Sequence, residues 1–164
     1  MEVRKATPED AAGIARVQER GWQAAYRHVF PAEELDRGGF IHADRWTERL
    51  IRPPAGWTTF VAEHDGEVVG FTSVGPSRDE TGVGELYAIY VHPSRWGDGA
   101  GRALIASAER SLRESGFPSA LLWVLEGNER AERFYDAAGW ERDGEKVDDF
   151  QGATVTESRY RKQL

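Results

Sequence analysis

Two stretches of this chain hold residue types whose spacing could do chemistry. In the first, Gly97, Asp98, Gly99, Ala100, Gly101 and Arg102 follow a β-branched and aromatic run, Leu86 to Val91, which Pro93 cuts off. Apolar or small residues then recur at Gly101, Leu104, Ala108 and Leu112, the spacing of one helix face. The order is strand, glycine turn, helix start. The first N–H groups of a helix have no internal partner, and with the helix dipole they form an anion site. Glycines allow a bulky polyanion such as a pyrophosphate to approach the backbone. A P-loop requires a Gly-Lys pair, and the chain has none. A dinucleotide fingerprint requires a third glycine where Leu104 stands.

The second stretch is W-V-L-E-G-N-E-R-A-E-R-F-Y-D-A-A-G-W, residues 123–140. Asn128 and Tyr135 are seven apart, which puts them on one helix face two turns from each other. A polar pair on a packed face asks for partners. On residue types alone two readings stand: a site, or a capping asparagine with an ordinary half-buried tyrosine.

The segment V-H-P-S-R-W-G-D-G-A-G-R-A-L resembles the acyl-CoA loop of the GNAT superfamily of N-acetyltransferases, (Arg/Gln)-x-x-Gly-x-(Gly/Ala). Gly99 and Gly101 match its two small positions. Trp96 stands at the first position, with Arg95 one residue earlier, which departs from the pattern. The second stretch is similar to the other signature of that family, N-x-x-A-x-x-F-Y-x-x-x-G-(F/W). There Asn128, Ala131, Phe134, Tyr135, Gly139 and Trp140 match every place.

The resemblance implies an α/β (α+β) domain over residues 1–164: a mixed, mostly antiparallel sheet of six or seven strands with helices on both faces. It implies acetyl-CoA as co-substrate, wedged where the strand near Tyr90 and Val91 splays from the strand near Leu125. Amides at Tyr90 and Val91 would hold the pantetheine arm. The loop from Trp96 through Gly97, Asp98, Gly99, Ala100 and Gly101, with Arg102, would hold the pyrophosphate; Asn128 and Tyr135 complete the cofactor set. Trp22 and Tyr26, on the early helices, would border the acceptor groove, although core packing is the commoner role for such aromatics.

The reaction implied is direct transfer of an acetyl group from a thioester to a primary amine of a small molecule or peptide. An alkyl ammonium titrates near 10.4, so freeing the amine at pH 7 costs roughly 4.6 kcal/mol, and a base should help. Glu85 is the first candidate and Glu126 the second, since both sit at ends of the central strands; His92 is a third. Tyr135, still protonated at pH 7, can serve as the acid for the departing thiol. Two rivals remain on sequence grounds: a non-catalytic acyl-CoA sensor, and an acyltransferase using another acyl chain or acceptor.

Elements must position these groups. Residues 1–6 alternate like a short strand, and Thr7-Pro8-Glu9-Asp10 reads as a helix start. Ile14, Val17, Trp22 and Tyr26 mark the apolar side of that helix. Short helices are expected over Ala32–Asp36 and His42–Ile51. Residues 57–64 and 67–74 read as strands joined by Asp65-Gly66, a two-residue hairpin turn. Ser119–Leu125 is an apolar strand suited to burial on both faces. A helix over Glu129–Ala138 and strands over 140–147 and 153–161 complete the chain.

Composition narrows the partners. With 40% hydrophobic and 30% charged residues in 164, the chain suits a globular domain with a real core. A net charge of −7 speaks against a nucleic-acid surface, so an anionic cofactor must be attracted locally, by loop amides and by Arg95 and Arg102. The longest apolar run, Ala120–Leu125, is too short for a bilayer, and the N-terminus lacks an apolar signal core. The expectation is a cytoplasmic protein with no membrane partner; a homodimer is compatible. There is no cysteine, and the four histidines show no close pairing, so no metal is expected.

Overall fold

The computed structural model describes residues 1–31, 33, 42–150 and 152–164. Its strands are β1 (Glu2–Lys5), β2 (Thr58–His64), β3 (Glu67–Pro76), β4 (Gly84–Val91), β5 (Ser119–Leu125), β6 (Glu141–Phe150) and β7 (Ala153–Gln163). The helices are α1 (Ala11–Ala25), α2 (Ala43–Ile51), α3 (Ala100–Glu114) and α4 (Glu129–Ala137). The helix expected over Ala32–Asp36 lies outside the described residues.

Seven strands form one sheet in the order β1-β2-β3-β4-β5-β7-β6. Every neighbouring pair is antiparallel except β4 with β5. The Asp65-Gly66 turn has positive φ at both residues, 51° and 81°, the geometry that suits the twist of a two-residue hairpin. Helices cover both faces. Ile14 and Val17 of α1 and Trp46 of α2 pack with Val61 and Phe71 on one side. On the other, Ile105, Ala108 and Leu112 of α3 meet Val74, Leu86, Ala120 and Leu122, while Leu104 packs with Ala62 and Val69. From Val68 to Gly75, β3 is therefore buried without interruption. Phe71 is wholly enclosed, and truncating it to alanine should cost about 3–5 kcal/mol.

Thr7-Pro8 starts a helix as expected, but through a 3₁₀ turn, Pro8–Asp10, before α1 begins. The Asp10 carboxylate accepts the Thr7 N–H at 2.8 Å and receives two N–H bonds from Arg4. This ties β1 to the start of α1.

Two irregularities in β4 create the site. Opposite β3, Ser73 pairs with Ala88 and Val74 with Leu86, so Tyr87 is an extra residue, a β-bulge. Leu86 then faces the α3 side, whereas Ala88 and Tyr90 pack on the α1 side. On the opposite edge, β4 pairs with β5 only at Gly84↔Ala120 and Glu85↔Leu121. Beyond these the two strands part, and a gap opens in the middle of the sheet.

Candidate active site

The gap widens into a cleft of about 1380 Å³ that reaches from the glycine loop, past the phenols of Tyr26, Tyr90 and Tyr135, to Trp123, Lys146 and Glu157. His92 donates its N–H to Val69 O at 2.8 Å, so strand alternation turns both backbone groups of Val91 away from β3 and into the gap. The Val91 carbonyl accepts the Trp96 indole N–H at 2.9 Å, which leaves its N–H facing the cleft. By the same alternation the backbone of Tyr90 serves the β3 ladder, opposite Phe71. Tyr90 therefore meets the cleft with its ring rather than its amide, a correction to the expectation for that residue.

At the loop, Gly97 and Gly99 have φ of 88° and 91°, and a Cβ built at either would meet nothing within 4 Å. They are glycine because of this left-handed backbone. The bonds within the turn use the amides of Arg95, Trp96 and Asp98, and Ala103 N–H closes the first helical bond onto Gly99 O. Among the described residues no acceptor takes the amides of Gly97, Gly99, Ala100, Gly101 or Arg102. Five N–H groups thus stand at one helix start. Gly101 is small for another reason: a Cβ there would lie 3.2 Å from the Phe134 ring, so it sets the close approach of α3 and α4. The Asp98 side chain turns to Arg95, 3.7 Å away, and does not line the cleft, which corrects the expectation that it contacts the cofactor. Arg102 does line it, and Arg130 and Arg133 of α4 join from a direction the loop sequence did not announce. Arg130 lies 4.0 Å above the Trp96 ring.

Asn128 is the N-cap of α4; its side chain accepts the Ala131 N–H at 3.3 Å while also bordering the cleft. The capping reading is therefore correct for its carbonyl. Seven residues on, Tyr135 is buried against Tyr160 and Phe134. Its hydroxyl makes no hydrogen bond among the described residues and is not an enclosed orphan, so it opens into the cleft. Burial, and secondarily the field of Tyr26, push its pKa well above the ordinary phenol value. The Tyr26 and Tyr90 hydroxyls are 3.1 Å apart and are also held protonated by burial. Trp22 stacks on Phe30 and meets Tyr26 edge-on behind this pair. It supports the phenols and does not line the cleft, whereas Tyr26 does.

Residues 18–140 match the model of the acetyltransferase (GNAT) family. The chain belongs to that family. YuaI of Bacillus subtilis (strain 168), named an uncharacterized N-acetyltransferase, is 38% identical over 157 residues, which cover 93% of this chain and 86% of YuaI. The mycothiol acetyltransferase of Streptomyces avermitilis is 39% identical over 122 residues, 73% of this chain but 38% of that protein. The chain thus spans well under half the length of that relative. Among solved structures, the ribosomal-protein-alanine N-acetyltransferase of Brucella melitensis superposes with a TM-score of 0.78 at 24% identity, covering 100% of both chains. A Thermoplasma acidophilum PaiA N-acetyltransferase in complex with coenzyme A gives 0.75 at 21%, covering 99% and 98%. At these identities the likeness shows the fold.

An acetyltransferase of this fold needs a proton acceptor beside its cleft, and the carboxylates can be sorted by position. Glu85 is fully buried at the closed end of the wedge. It accepts the Arg78 N–H at 3.0 Å with one oxygen, and the Arg78 guanidinium at 2.5 and 3.1 Å with the other. It does not line the cleft. Glu126 is exposed just past β5, where among the described residues only its backbone is bonded, the carbonyl to His28 at 3.1 Å and the N–H to Thr156 O at 2.9 Å. His92 caps the 3₁₀ turn Pro93–Arg95 by accepting Ser94 N–H, and burial lowers its pKa. None of the three sequence candidates faces the phenols. Glu157 does line the cleft. It pairs in register with Leu125 of β5 and Lys146 of β6, its side chain is 16% exposed, and Lys146 Nζ lies 3.7 Å away. Burial raises its pKa, Asp148 adds to the rise, and Lys146 and Arg78 oppose it.

Proposed function

We propose that the chain transfers the acetyl group of acetyl-CoA to the primary amine of a small molecule or peptide. The observation that carries this reading is the cleft itself: open strand edges in its middle, five amides at one end with no acceptor among the described residues, and a buried phenol beside the gap. The residues fit the cofactor. Gly97 and Gly99 leave open space before the amides, and Arg102, Arg130 and Arg133 supply positive charge where the chain as a whole is acidic. The Val91 N–H offers a strand-edge donor for an amide-bearing arm.

When bound, acetyl-CoA supplies an acyl group activated as a thioester. The amides of Gly97, Gly99, Ala100, Gly101 and Arg102 would hold the pyrophosphate, and Val91 with the β5 edge would orient the acyl end toward the phenols. Tyr135 gives its hydroxyl proton to the leaving sulfur. A thiol titrates near 8.5 and a phenol near 10 in water, and burial has raised the phenol further. The same dry site disfavours a thiolate, so the two rise together and transfer stays feasible. The relative named an N-acetyltransferase supports an amine-bearing acceptor, and those named mycothiol acetyltransferase support transfer of an acetyl group.

The test is a thermal-shift and calorimetric series with acetyl-CoA, CoA, ATP and NAD. At a hundredfold excess over Kd a ligand stabilises by about 2.7 kcal/mol. Stabilisation by CoA and acetyl-CoA is expected; stabilisation by ATP or NAD with no response to CoA would overturn the reading.

A further inference from the structure

We propose that Glu157 seats the acceptor's ammonium group and takes its proton; this rests on the amine acetylation proposed above. Three placements carry it. Glu157 pairs with Leu125, the last residue of β5, at the level where β4 has already parted from β5. Register fixes its face of the sheet. Tyr160, three residues on, lies on the α3–α4 side with Leu122 and Tyr135. Alternation therefore puts Glu157 on the α1 side, where Tyr26 feels its charge. Carboxylate and Tyr135 thus approach the gap from opposite faces, and Tyr26 stands within electrostatic reach of both. With the base on one face and the acid on the other, each reaches its own atom, the nucleophile and the leaving group, which suits direct transfer.

The remaining carboxylates on the cleft wall are placed otherwise. Asp79 accepts the Trp123 indole N–H at 3.0 Å, Asp148 takes the Asp149 amide, and Glu129 stands at the start of α4 near the glycine loop. The groups that face Glu157 are Lys146 and Asp148 of β6, Arg78 from the loop before β4, and Tyr26 at the end of α1. Lys146 also lies 4.2 Å over the Trp123 ring. An incoming ammonium replaces Lys146 as the partner of the carboxylate, and the cation–π contact gives Lys146 an alternative seat.

The step balances. One ammonium N–H proton moves to a Glu157 oxygen, and the freed lone pair attacks the acyl carbon. The C–S bond breaks, and the sulfur takes the proton of Tyr135. Glu157 passes its proton on to water, and the second proton of the nitrogen returns through solvent to the Tyr135 phenolate, so one turnover releases one proton.

The test first establishes that wild type binds acetyl-CoA by calorimetry; a failure there refutes the proposed function rather than this inference. Ethylamine and 2,2,2-trifluoroethylamine then serve as acceptors, the second being largely neutral at pH 7. Glu157→Gln should lower kcat/KM for ethylamine by about 10²–10⁴ and recover partly at high pH, while trifluoroethylamine suffers far less. Lys146→Met removes a cation that stabilises the carboxylate, so the acid limb of the wild-type profile should move to higher pH. A second readout needs no turnover. In CoA-bound protein with carbon-13-labelled glutamate, the carboxylate signal missing from Glu157→Gln should shift when ethylammonium is added. A signal that ignores ethylammonium overturns the proposal, as does a rate lost in Glu85→Gln but kept in Glu157→Gln.

Discussion

Tyr135→Phe separates chemistry from structure because of where the hydroxyl sits. The ring packs with centroids 5.5 Å from Phe134 and 5.9 Å from Tyr160, and phenylalanine keeps both contacts. The hydroxyl bonds to no described residue, so its removal strands no buried partner, and stability should change by no more than about 0.5 kcal/mol. Acetyl-CoA affinity should hold, since the pyrophosphate amides and the Val91 edge are untouched. Turnover should not. A positioned general acid is worth about 10²–10⁴ in rate, or roughly 2.7–5.4 kcal/mol of barrier. The assay is steady-state thiol release from acetyl-CoA with ethylamine, beside calorimetry and thermal unfolding of the same preparations. A fall in kcat of that size with unchanged Kd and Tm is expected. Full kcat in the variant would leave Tyr135 a packing residue and refute the reasoning; equal losses of kcat, affinity and Tm would do so too.

Gly99→Val puts a β-branched residue at φ 91°, so calorimetry should find acetyl-CoA affinity lowered at least tenfold in a protein whose circular dichroism is retained. Gly21→Ala places a Cβ 2.6 Å from the Tyr90 ring, which is stacked 5.7 Å from Phe71 and cannot retreat. Urea unfolding should show a loss of about 1–3 kcal/mol, with kcat reduced as the Tyr26–Tyr90 bond loosens. Asp10, bonded by Arg4, has its pKa lowered in the folded state. The stability it contributes is present above the unfolded value near 3.9 and is lost as pH falls through the folded one, so Asp10→Asn should flatten that acid limb in denaturant titrations from pH 7 downward.

What the sequence made legible was local. The strand Leu86–Val91, the glycine turn and the start of α3 are contiguous, so periodicity and φ-permissive residues disclose them together. Asp65-Gly66 did the same for the hairpin. The roles inside those motifs were harder to separate. Gly101 reads like Gly99 in the string, yet one is small for the Phe134 ring and the other for its backbone angle. Tyr90 and Val91 are adjacent, and only the bond from His92 to Val69 decides which of them turns its amide to the gap. The bulge at Tyr87 depends on β3 pairing and leaves no mark in L-Y-A-I. Glu85 looked available because its partner, Arg78, sits in a loop whose return to the strand no periodicity announces.

Glu157 lay furthest beyond sequence reasoning, and the reason is topological. In T-V-T-E-S-R it reads as an outward residue of a terminal strand, where a carboxylate is ordinarily solvated. Insertion of β7 between β5 and β6 makes it an interior position. Antiparallel pairing then brings residue 157 beside residue 125, at the break in the sheet. The same insertion sets Lys146 and Arg159 against Trp123, at 4.2 and 5.7 Å from its ring. The cleft thus has two ends, one formed by Trp123, Lys146 and Glu157 with Arg78 and Asp79, the other by the glycine loop with Asn128, Arg130 and Arg133. Charge divides along that line as well. Arginines gather at the glycine loop, whereas at the other end Glu157, Asp148 and Asp79 stand among Lys146 and Arg78. A net charge of −7 therefore does not oppose an anionic cofactor, because Arg95, Arg102, Arg130 and Arg133 outnumber Glu129 on the cleft wall at the glycine loop.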